Sequence, residues 1–191
     1  MSAAPVIDDQ ADEPVFRLRG LLIGTAVGDA LGLPAEGLSR RRVQRLYRGN
    51  WQHRLVFGRG MISDDTEHTV FVAQCLLRYP DSPARFARRL GWCLRGWLLS
   101  LPAGIGLATG RAIFKLWLGF PPNYSGVFSA GNGPAMRVAI IGAFFAHDAK
   151  QRAAYVAAST CITHTDPKAL TGATSIAELA AWIVRERLNG S

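Results

Sequence analysis

Three oxygen-bearing side chains stand in a row at Ser63-Asp64-Asp65, where an amphipathic helix is predicted to begin. Hydroxyl and carboxylate oxygens are the ligands that Mg²⁺ and Mn²⁺ prefer, and a water held by such an ion can attack a stable bond at neutral pH. Ser and Asp are also preferred at helix N-termini, and Asp64 with Glu67 resembles a capping box. The spacing alone therefore predicts either a divalent-metal site formed by Ser63, Asp64 and Asp65 or a plain helix cap.

A second candidate is the segment 125–134, which is rich in small residues. Small residues let backbone N–H groups approach a ligand, and a helix starting at Pro134 would add its positive end, which suits a pyrophosphate. The alternative is a tight turn with Pro134 at the first helical position.

A third candidate is His164, which lies just before a helix that Asp166 and Pro167 would start. A histidine in such a loop is either a ligand contact or a structural residue. No second His or Cys stands at zinc-site spacing, and the chain has no Gly-x-Ser-x-Gly element, so the sequence supports neither a zinc centre nor a serine hydrolase.

Two further carboxylates stand near the first motif in the sequence. Asp29 lies within an apolar helix, where an unpaired charge is costly, so it either supports metal ligands or ties a helix end to a loop. Glu36 follows Pro34 on a predicted loop, where a carboxylate is ordinarily a surface residue.

The elements that must position these residues are predicted to be helices, because apolar residues recur at helical spacing along most of the chain. The predicted helices cover residues 16–33, 65–78, 83–99, 107–118, 134–146, 152–159 and 167–188. Residues 54–57 give the one hint of a strand. We expect an all-α domain over residues 15–191, a compact orthogonal helical bundle, after a disordered segment 1–14. Its loops 63–65, 125–133 and 163–166 should share one face.

Composition narrows the class of protein. The 191 residues are 49% hydrophobic and 19% charged, which is typical of a globular protein, and no apolar stretch is long enough to cross a bilayer. The N-terminus lacks the pattern of a secretion signal, and three scattered cysteines indicate reduced thiols, so a cytoplasmic location is expected. The net charge of +8 comes mainly from arginine. The arginine clusters at 40–48 and 85–95 are interpreted as solvated helix faces rather than nucleic-acid surfaces, because no aromatic residues interleave with them.

Taken in order, these segments resemble the ADP-ribosylglycohydrolase family, which includes the dinitrogenase reductase-activating glycohydrolases and their vertebrate relatives. The resemblance covers nearly the whole chain and rests on residues 20–32 with Glu36, Ser63-Asp64-Asp65-Thr66, residues 131–137 and residues 163–167. It implies an all-α fold and a binuclear magnesium or manganese centre. It also implies hydrolysis of the bond that joins ADP-ribose to a modified side chain or a related conjugate.

The resemblance also implies roles for individual residues. Ser63, Asp64 and Asp65 fall on a metal-ligand triplet, and Glu36 falls on a loop carboxylate that gates or assists the centre. Residues 129–133 fall on the diphosphate cradle, so the implied ligand contacts there are Ser129, Gly131, Asn132 and Gly133. His164 falls on a position that faces the nucleotide. Glu36, Asp64 and Asp65 are therefore the predicted catalytic residues.

The chain departs from the family pattern in one respect that concerns the metal. Members carry an Asp-x-Asp-Thr element near the C-terminus that supplies further metal ligands, and no Asp-x-Asp occurs in this sequence. We therefore expect an incomplete domain with half of the ligand set and with exposed apolar surface. The alternatives to the enzyme are a non-catalytic reader of ADP-ribose or nucleotides, and a fragment that depends on a partner or on a missing segment.

Overall fold

The computed structural model describes residues 13–102 and 105–189, and in these ranges the protein is built from helices. Nine α-helices lie within the described ranges: α1 Glu13–Gly32, α2 Arg40–Tyr47, α3 Asp64–Arg78, α4 Pro83–Leu99, α5 Leu107–Trp117, α6 Pro122–Ser125, α7 Ala139–Phe144, α8 Ala149–Cys161 and α9 Pro167–Asn189. Short 3₁₀ turns occupy Leu33–Ala35 and Ala135–Arg137. Within these ranges the sole β-type pairing is an isolated bridge between Val127 and His164. The all-α prediction is confirmed.

Most helix limits follow from local sequence signals. The Ser82 hydroxyl accepts a hydrogen bond from the Arg85 amide, and Pro83 occupies the first turn of α4, as predicted. Asp148 caps α8 by accepting from the Gln151 amide at 2.9 Å. The structure begins α1 at Glu13, whereas residues 1–12 of the predicted disordered segment lie outside the described residues.

One predicted helix is wrong, and the hint of a strand is not realised. Residues 134–146 do not form one helix, because the chain makes a 3₁₀ turn at Ala135–Arg137 and only then enters α7. Residues 54–57 are not a strand, since Val56 and Phe57 adopt left-handed φ values of 49° and 56° within a turn.

Helix α7 lies at the centre of the bundle and packs against α1, α3, α8 and α9. A side chain at Gly142 would place its Cβ 2.1 Å from the Ala177 carbonyl oxygen, so α7 and α9 approach at backbone contact. Around this contact the core buries Val72, Leu76, Phe86, Leu90, Leu94, Ile113, Ile140, Ile141 and Tyr155. The ion pair between Arg152 and Glu178, at 2.8 Å, joins α8 to α9.

An apolar groove of about 640 Å³ runs between α1 and α9 over α7. Leu179 and Ile183 of α9 line it and are about half exposed. This surface agrees with the predicted exposure of apolar side chains. In the described part of the chain, no single helix is long and apolar enough to cross a membrane, and only α1 and α2 together, bent by 111°, meet those criteria.

Candidate active site

One cavity of about 510 Å³ brings the predicted site residues together. The predicted residues that line it are Glu36, Asp64, Asp65, Ser129, Gly131, Asn132, Gly133 and His164. Ser63 does not line the cavity and lies behind it as the residue that precedes α3. Three loops that are far apart in the sequence therefore meet on one face, and the roles assigned to their residues stay predictions.

Asp29 fixes the carboxylate end of the cavity. Its carboxylate accepts hydrogen bonds from the Ser63 amide at 2.7 Å, the Ser63 hydroxyl at 2.7 Å, the Thr66 amide at 3.2 Å and the Thr66 hydroxyl at 2.5 Å. A residue of α1 thus caps α3 from outside, which satisfies amides that a helix start leaves unpaired. The structure shows that Asp29 ties the start of α3 to α1, and because Ser63 is a predicted metal ligand, the same contacts fit the interpretation that Asp29 supports such a ligand.

Because Ser63 is the N-cap residue of α3, the side chains of Asp64 and Asp65 are not needed to cap the helix. Ser63 is the N-cap residue, and its hydroxyl accepts from the Asp65 amide at 3.4 Å. The predicted capping box between Asp64 and Glu67 does not form, because Glu67 instead accepts a hydrogen bond from the Trp97 indole N–H at 2.6 Å. Within the described ranges, neither Asp64 nor Asp65 pairs with a cationic side chain.

The carboxylates at this end raise one another's pKa values. Partial burial raises the pKa of Asp64, and the nearby Glu36 and Asp29 add to the rise. Burial also raises the pKa of Asp65, followed by the charges of Asp64 and Asp29. The pKa of Glu36 is raised by desolvation first and then by Asp65 and Asp29. Each carboxylate therefore carries its charge at a cost that a bound cation would offset.

The chemistry of this donor set fits a hard divalent cation. The Ser63 hydroxyl donates its proton to Asp29 and accepts from the Asp65 amide, which leaves one oxygen lone pair, and the next two residues, Asp64 and Asp65, line the cavity. The set is small: among the described residues, no three Asp, Glu, His or Cys side chains converge closely enough to hold a metal ion.

The opposite end of the cavity is held by backbone contacts between two loops. The Val127 amide donates to the Thr163 carbonyl at 3.2 Å, and the Thr165 amide donates to the Val127 carbonyl at 3.0 Å. The buried Ser125 hydroxyl donates to the Ile162 carbonyl at 2.7 Å. These bonds place the glycine-rich segment against His164.

A buried arginine organises the histidine. Arg137 is fully buried, and it donates to the Ser159 carbonyl and to the Thr163 hydroxyl, both at 2.8 Å. Burial lowers the pKa of Arg137 to about 10, so the guanidinium is charged at neutral pH. The Thr163 hydroxyl lies 2.9 Å from His164 Nδ1. Arg137 belongs to the 131–137 motif, but the sequence analysis gave it no role. Its charge between the apolar residues Met136 and Val138 could have indicated a buried, hydrogen-bonded arginine.

The hydrogen-bond chain favours one tautomer of His164. The Thr163 hydroxyl accepts a hydrogen bond from Arg137 and can donate its own proton to His164 Nδ1. The proton of the neutral ring is then on Nε2. Burial, and after it the charge of Arg137, lowers the pKa of His164 to about 4. A Cβ at Gly131 would lie 3.1 Å from Nε2, and one at Gly133 would lie 2.9 Å from Cε1. The two glycines therefore leave room for a neutral N–H donor.

The glycine-rich loop offers backbone donors but not the helix end that was predicted. The Gly131 amide donates to the Ser129 hydroxyl at 3.2 Å. Within the part of the chain that the structure describes, the amides of Asn132 and Gly133 donate to no protein acceptor. Because only a 3₁₀ turn follows Pro134, the expected contribution from a long helix at this position is absent.

Helix α5, which was predicted to begin at Leu107, supplies the helix N-terminus at the cavity that the sequence analysis had expected at Pro134. Gly106, Leu107, Ala108 and Thr109, which form its first turn, line the same cavity. The first-turn amides of an eleven-residue helix are suitable donors to an anion. The glycine-containing entry to α5 is visible in the sequence, where it superficially resembles a dinucleotide fingerprint but has no strand before it.

Comparisons with known proteins agree with this arrangement of motifs. The ADP-ribosylglycohydrolase family matches residues 11–191. The chain belongs to this family. A structure described as an ADP-ribosylglycohydrolase-related protein complex superposes with a TM-score of 0.67 at 30% identity, and the match covers 91% of this chain and 58% of the other.

Two curated relatives of this ADP-ribosylglycohydrolase family member are uncharacterized proteins. One, from Archaeoglobus fulgidus, is 37% identical over 169 residues, which is 84% of this chain and 53% of the relative. The other, YegU from Escherichia coli, is 29% identical over 189 residues, which is 91% of this chain and 54% of the relative. The chain therefore spans just over half the length of the relatives that it matches.

Proposed function

We propose that this protein is a glycoside hydrolase that removes ADP-ribose from a modified protein side chain or a related conjugate. The observation that carries the proposal is the single cavity, in a member of this family, with carboxylates at one end and neutral hydrogen-bond donors at the other. Cleavage of a glycosidic bond at ribose is ordinarily served by carboxylates and a positioned water.

The donor end would hold the diphosphate. The amides of Asn132 and Gly133 and the first turn of α5 face the same cavity, and backbone amides of this kind bind phosphate oxygens. His164 adds an N–H that stays uncharged above about pH 5, because its pKa is about 4. Binding would thus use fixed dipoles rather than a titrating cation.

The carboxylate end would carry the chemistry. Ser63, Asp64 and Asp65 would hold Mg²⁺ or Mn²⁺, which supplies water activation and orientation of the ribose hydroxyls when it is bound. Glu36, whose raised pKa makes its carboxylate a better base than an ordinary exposed one, would accept a proton from water. Asp29 would keep Ser63 in place through the hydrogen bonds to its amide and hydroxyl.

The second candidate is a module that binds ADP-ribose without turning it over. It is favoured by one observation: the described residues contain no group of three acidic, histidine or cysteine side chains able to hold a metal. A partner, or polypeptide beyond this chain, would then have to supply further oxygen ligands for hydrolysis.

Calorimetry with ADP-ribose, in the presence and absence of Mg²⁺ or Mn²⁺, separates these functions. The hydrolase predicts binding that a metal strengthens about tenfold or more, an effect that Asp64→Asn and Asp65→Asn remove and that the exposed Asp81→Asn retains. Metal-independent binding without release of ADP-ribose from a modified protein identifies the binding module. If ADP-ribose does not bind under either condition, both proposals are wrong.

A further inference from the structure

A second cavity, of about 380 Å³, lies away from the candidate active site. We call it the α4 pocket, and its lining residues are Tyr79, Arg85, Arg88, Arg89 and Trp92. Tyr79 directly follows the last residue of α3, whereas Asp64 and Asp65 stand at the first. A helix of fifteen residues is about 22 Å long, so the two cavities are at opposite ends of α3.

No described acidic residue forms an ion pair with the arginines of the α4 pocket. Helix α4 contains four arginines and no acidic residue. Arg85, Arg88 and Arg89 are exposed, and their guanidinium groups have no hydrogen bond or ion pair with any described residue. Since residues three and four apart share a helix face, the three charges repel one another, and an anion bound between them would relieve that repulsion.

An aromatic surface adjoins these charges. Trp92 follows Arg88 and Arg89 by one helical turn, and 58% of its surface is exposed. The guanidinium carbon of Arg95 lies 4.3 Å from the Trp92 ring centroid, and Arg95 Nε donates to the Leu116 carbonyl at 3.0 Å. Arg95 thus holds one face of the indole, and Trp92 keeps a large area open to a ligand.

The structure changes the interpretation of this arginine cluster. From the sequence this cluster was interpreted as a solvated helix face without an aromatic stacking surface, although Trp92 lies between Arg89 and Arg95. In the folded chain, Tyr79 and Trp92 line the same cavity as Arg85, Arg88 and Arg89. Positive charge beside an exposed aromatic ring is the combination by which proteins bind nucleotide units, with phosphates on the cations and bases on the ring.

We propose that the α4 pocket binds a nucleotide unit, with its phosphate against Arg85, Arg88 and Arg89 and its base against Trp92. The site is independent of the proposed hydrolase site. The same chemistry is presented by a free nucleotide and by a unit of a single-stranded nucleic acid, and the experiment below distinguishes these two sources.

The test is an NMR titration that follows the indole N–H of Trp92, assigned by its loss in Trp92→Phe. The probes are ADP, a short oligothymidylate and inorganic phosphate. We expect the Trp92 signal to shift with ADP or with the oligonucleotide and not with phosphate. Tighter binding of ADP identifies a free nucleotide as the ligand class, and tighter binding of the oligonucleotide identifies a strand. Amide signals of residues 125–133 report the other cavity in the same spectra, so failure at one site is not confused with failure at the other.

Two variants with the same change of charge provide the control. The triple change Arg85→Gln, Arg88→Gln and Arg89→Gln should weaken binding at Trp92 at least tenfold. The matched triple change Arg40→Gln, Arg41→Gln and Arg42→Gln on α2 should alter it less than twofold. Equal losses in both variants would mean that only overall charge attracts the ligand, and the proposal would be wrong. It would equally be overturned by a Trp92 signal that no probe moves, or that inorganic phosphate moves as readily as ADP does.

Discussion

At one end of the candidate active site, partial burial and then the neighbouring carboxylates raise the pKa values of Glu36, Asp64 and Asp65. At the other end a buried arginine, a hydroxyl and a neutral histidine form a continuous hydrogen-bond chain. The histidine end is organised by the protein's own contacts. The carboxylate end is destabilised by partial burial of its charges and then by their mutual repulsion, so it gains most from a ligand that brings positive charge. Under the proposed function, the end that binds the diphosphate would be formed before the ligand arrives, and the carboxylate end would be completed by a bound cation.

The largest expected effect concerns the pH dependence of stability at the histidine end. His164 has a pKa of about 4 in the folded protein against 6.5 when unfolded, so the unfolded state takes up a proton first as the pH falls. Its contribution to stability is complete above pH 6.5 and is lost towards pH 4. Between pH 7 and pH 4.5 this loss is about 2–3 kcal/mol.

Urea unfolding of the wild type and of His164→Gln at the two pH values measures that loss. The wild type should lose about 2–3 kcal/mol more than the variant, because glutamine does not titrate. His68 is also buried with its pKa held well below 6.5, and since it is present in both proteins its contribution cancels. Equal losses in the two proteins would show that His164 titrates normally.

The second prediction breaks the hydrogen-bond chain. Thr163→Val removes the hydroxyl between Arg137 and His164, which leaves a buried ring nitrogen unpaired and should reduce the free energy of unfolding by about 1–3 kcal/mol. Nitrogen-15 chemical shifts of His164 should show the Nε2–H tautomer in the wild type and a mixture in the variant. The matched control is Thr160→Val, since the Thr160 hydroxyl is buried without a hydrogen-bond partner among the described residues. If both valine variants are equally unstable, loss of the hydroxyl's hydrogen bonds is not the cause.

The smallest expected effect has the opposite sign and belongs to the carboxylate end. Asp65 has a raised pKa, so its charge destabilises the metal-free fold as the pH rises through that pKa. Asp65→Asn should therefore stabilise the metal-free protein at pH 7 by about 0.5 kcal/mol, which corresponds to about 1–2 °C in Tm. Differential scanning calorimetry measures this, with the exposed Asp81→Asn as the control for a general effect of charge. A lower Tm for Asp65→Asn would mean that Asp65 stabilises the start of α3.

Helices with a clear apolar period were predicted well from the sequence. The ranges 65–78, 83–99 and 107–118 differ from α3, α4 and α5 by no more than one residue at either end. Residues 134–146 were predicted wrongly because a nearly uniform apolar run carries no periodic signal. Tertiary contacts decide its path: Arg137 turns into the core to reach Ser159 and Thr163, and Gly142 meets α9.

The candidate site was predicted only in part, and mainly by resemblance. The sequence marked Asp64, Asp65 and His164, and the fold places them in one cavity. It did not reveal that Asp29 caps α3 across 34 residues of chain or that α5 starts at the cavity, because long-range hydrogen bonds leave no local pattern. The arginines of α4 were likewise interpreted as a solvated helix face, because the sequence does not show that Tyr79, at the end of α3, lies beside them in the fold.

The backbone bridge between Val127 and the 163–165 segment has a mechanical consequence. Its two hydrogen bonds join the glycine-rich loop to the turn between α8 and α9, so displacement of this loop by a ligand is transmitted to the start of α9. Helix α9 also packs closely against α7 at Gly142, and this close packing opposes movement of α9. We therefore expect entry and release of a ligand to depend on movement of the Glu36 side of the cavity. There Gly37 has a φ of 67°, and no other atom lies within 4 Å of where its Cβ would be, so this segment is not closely packed.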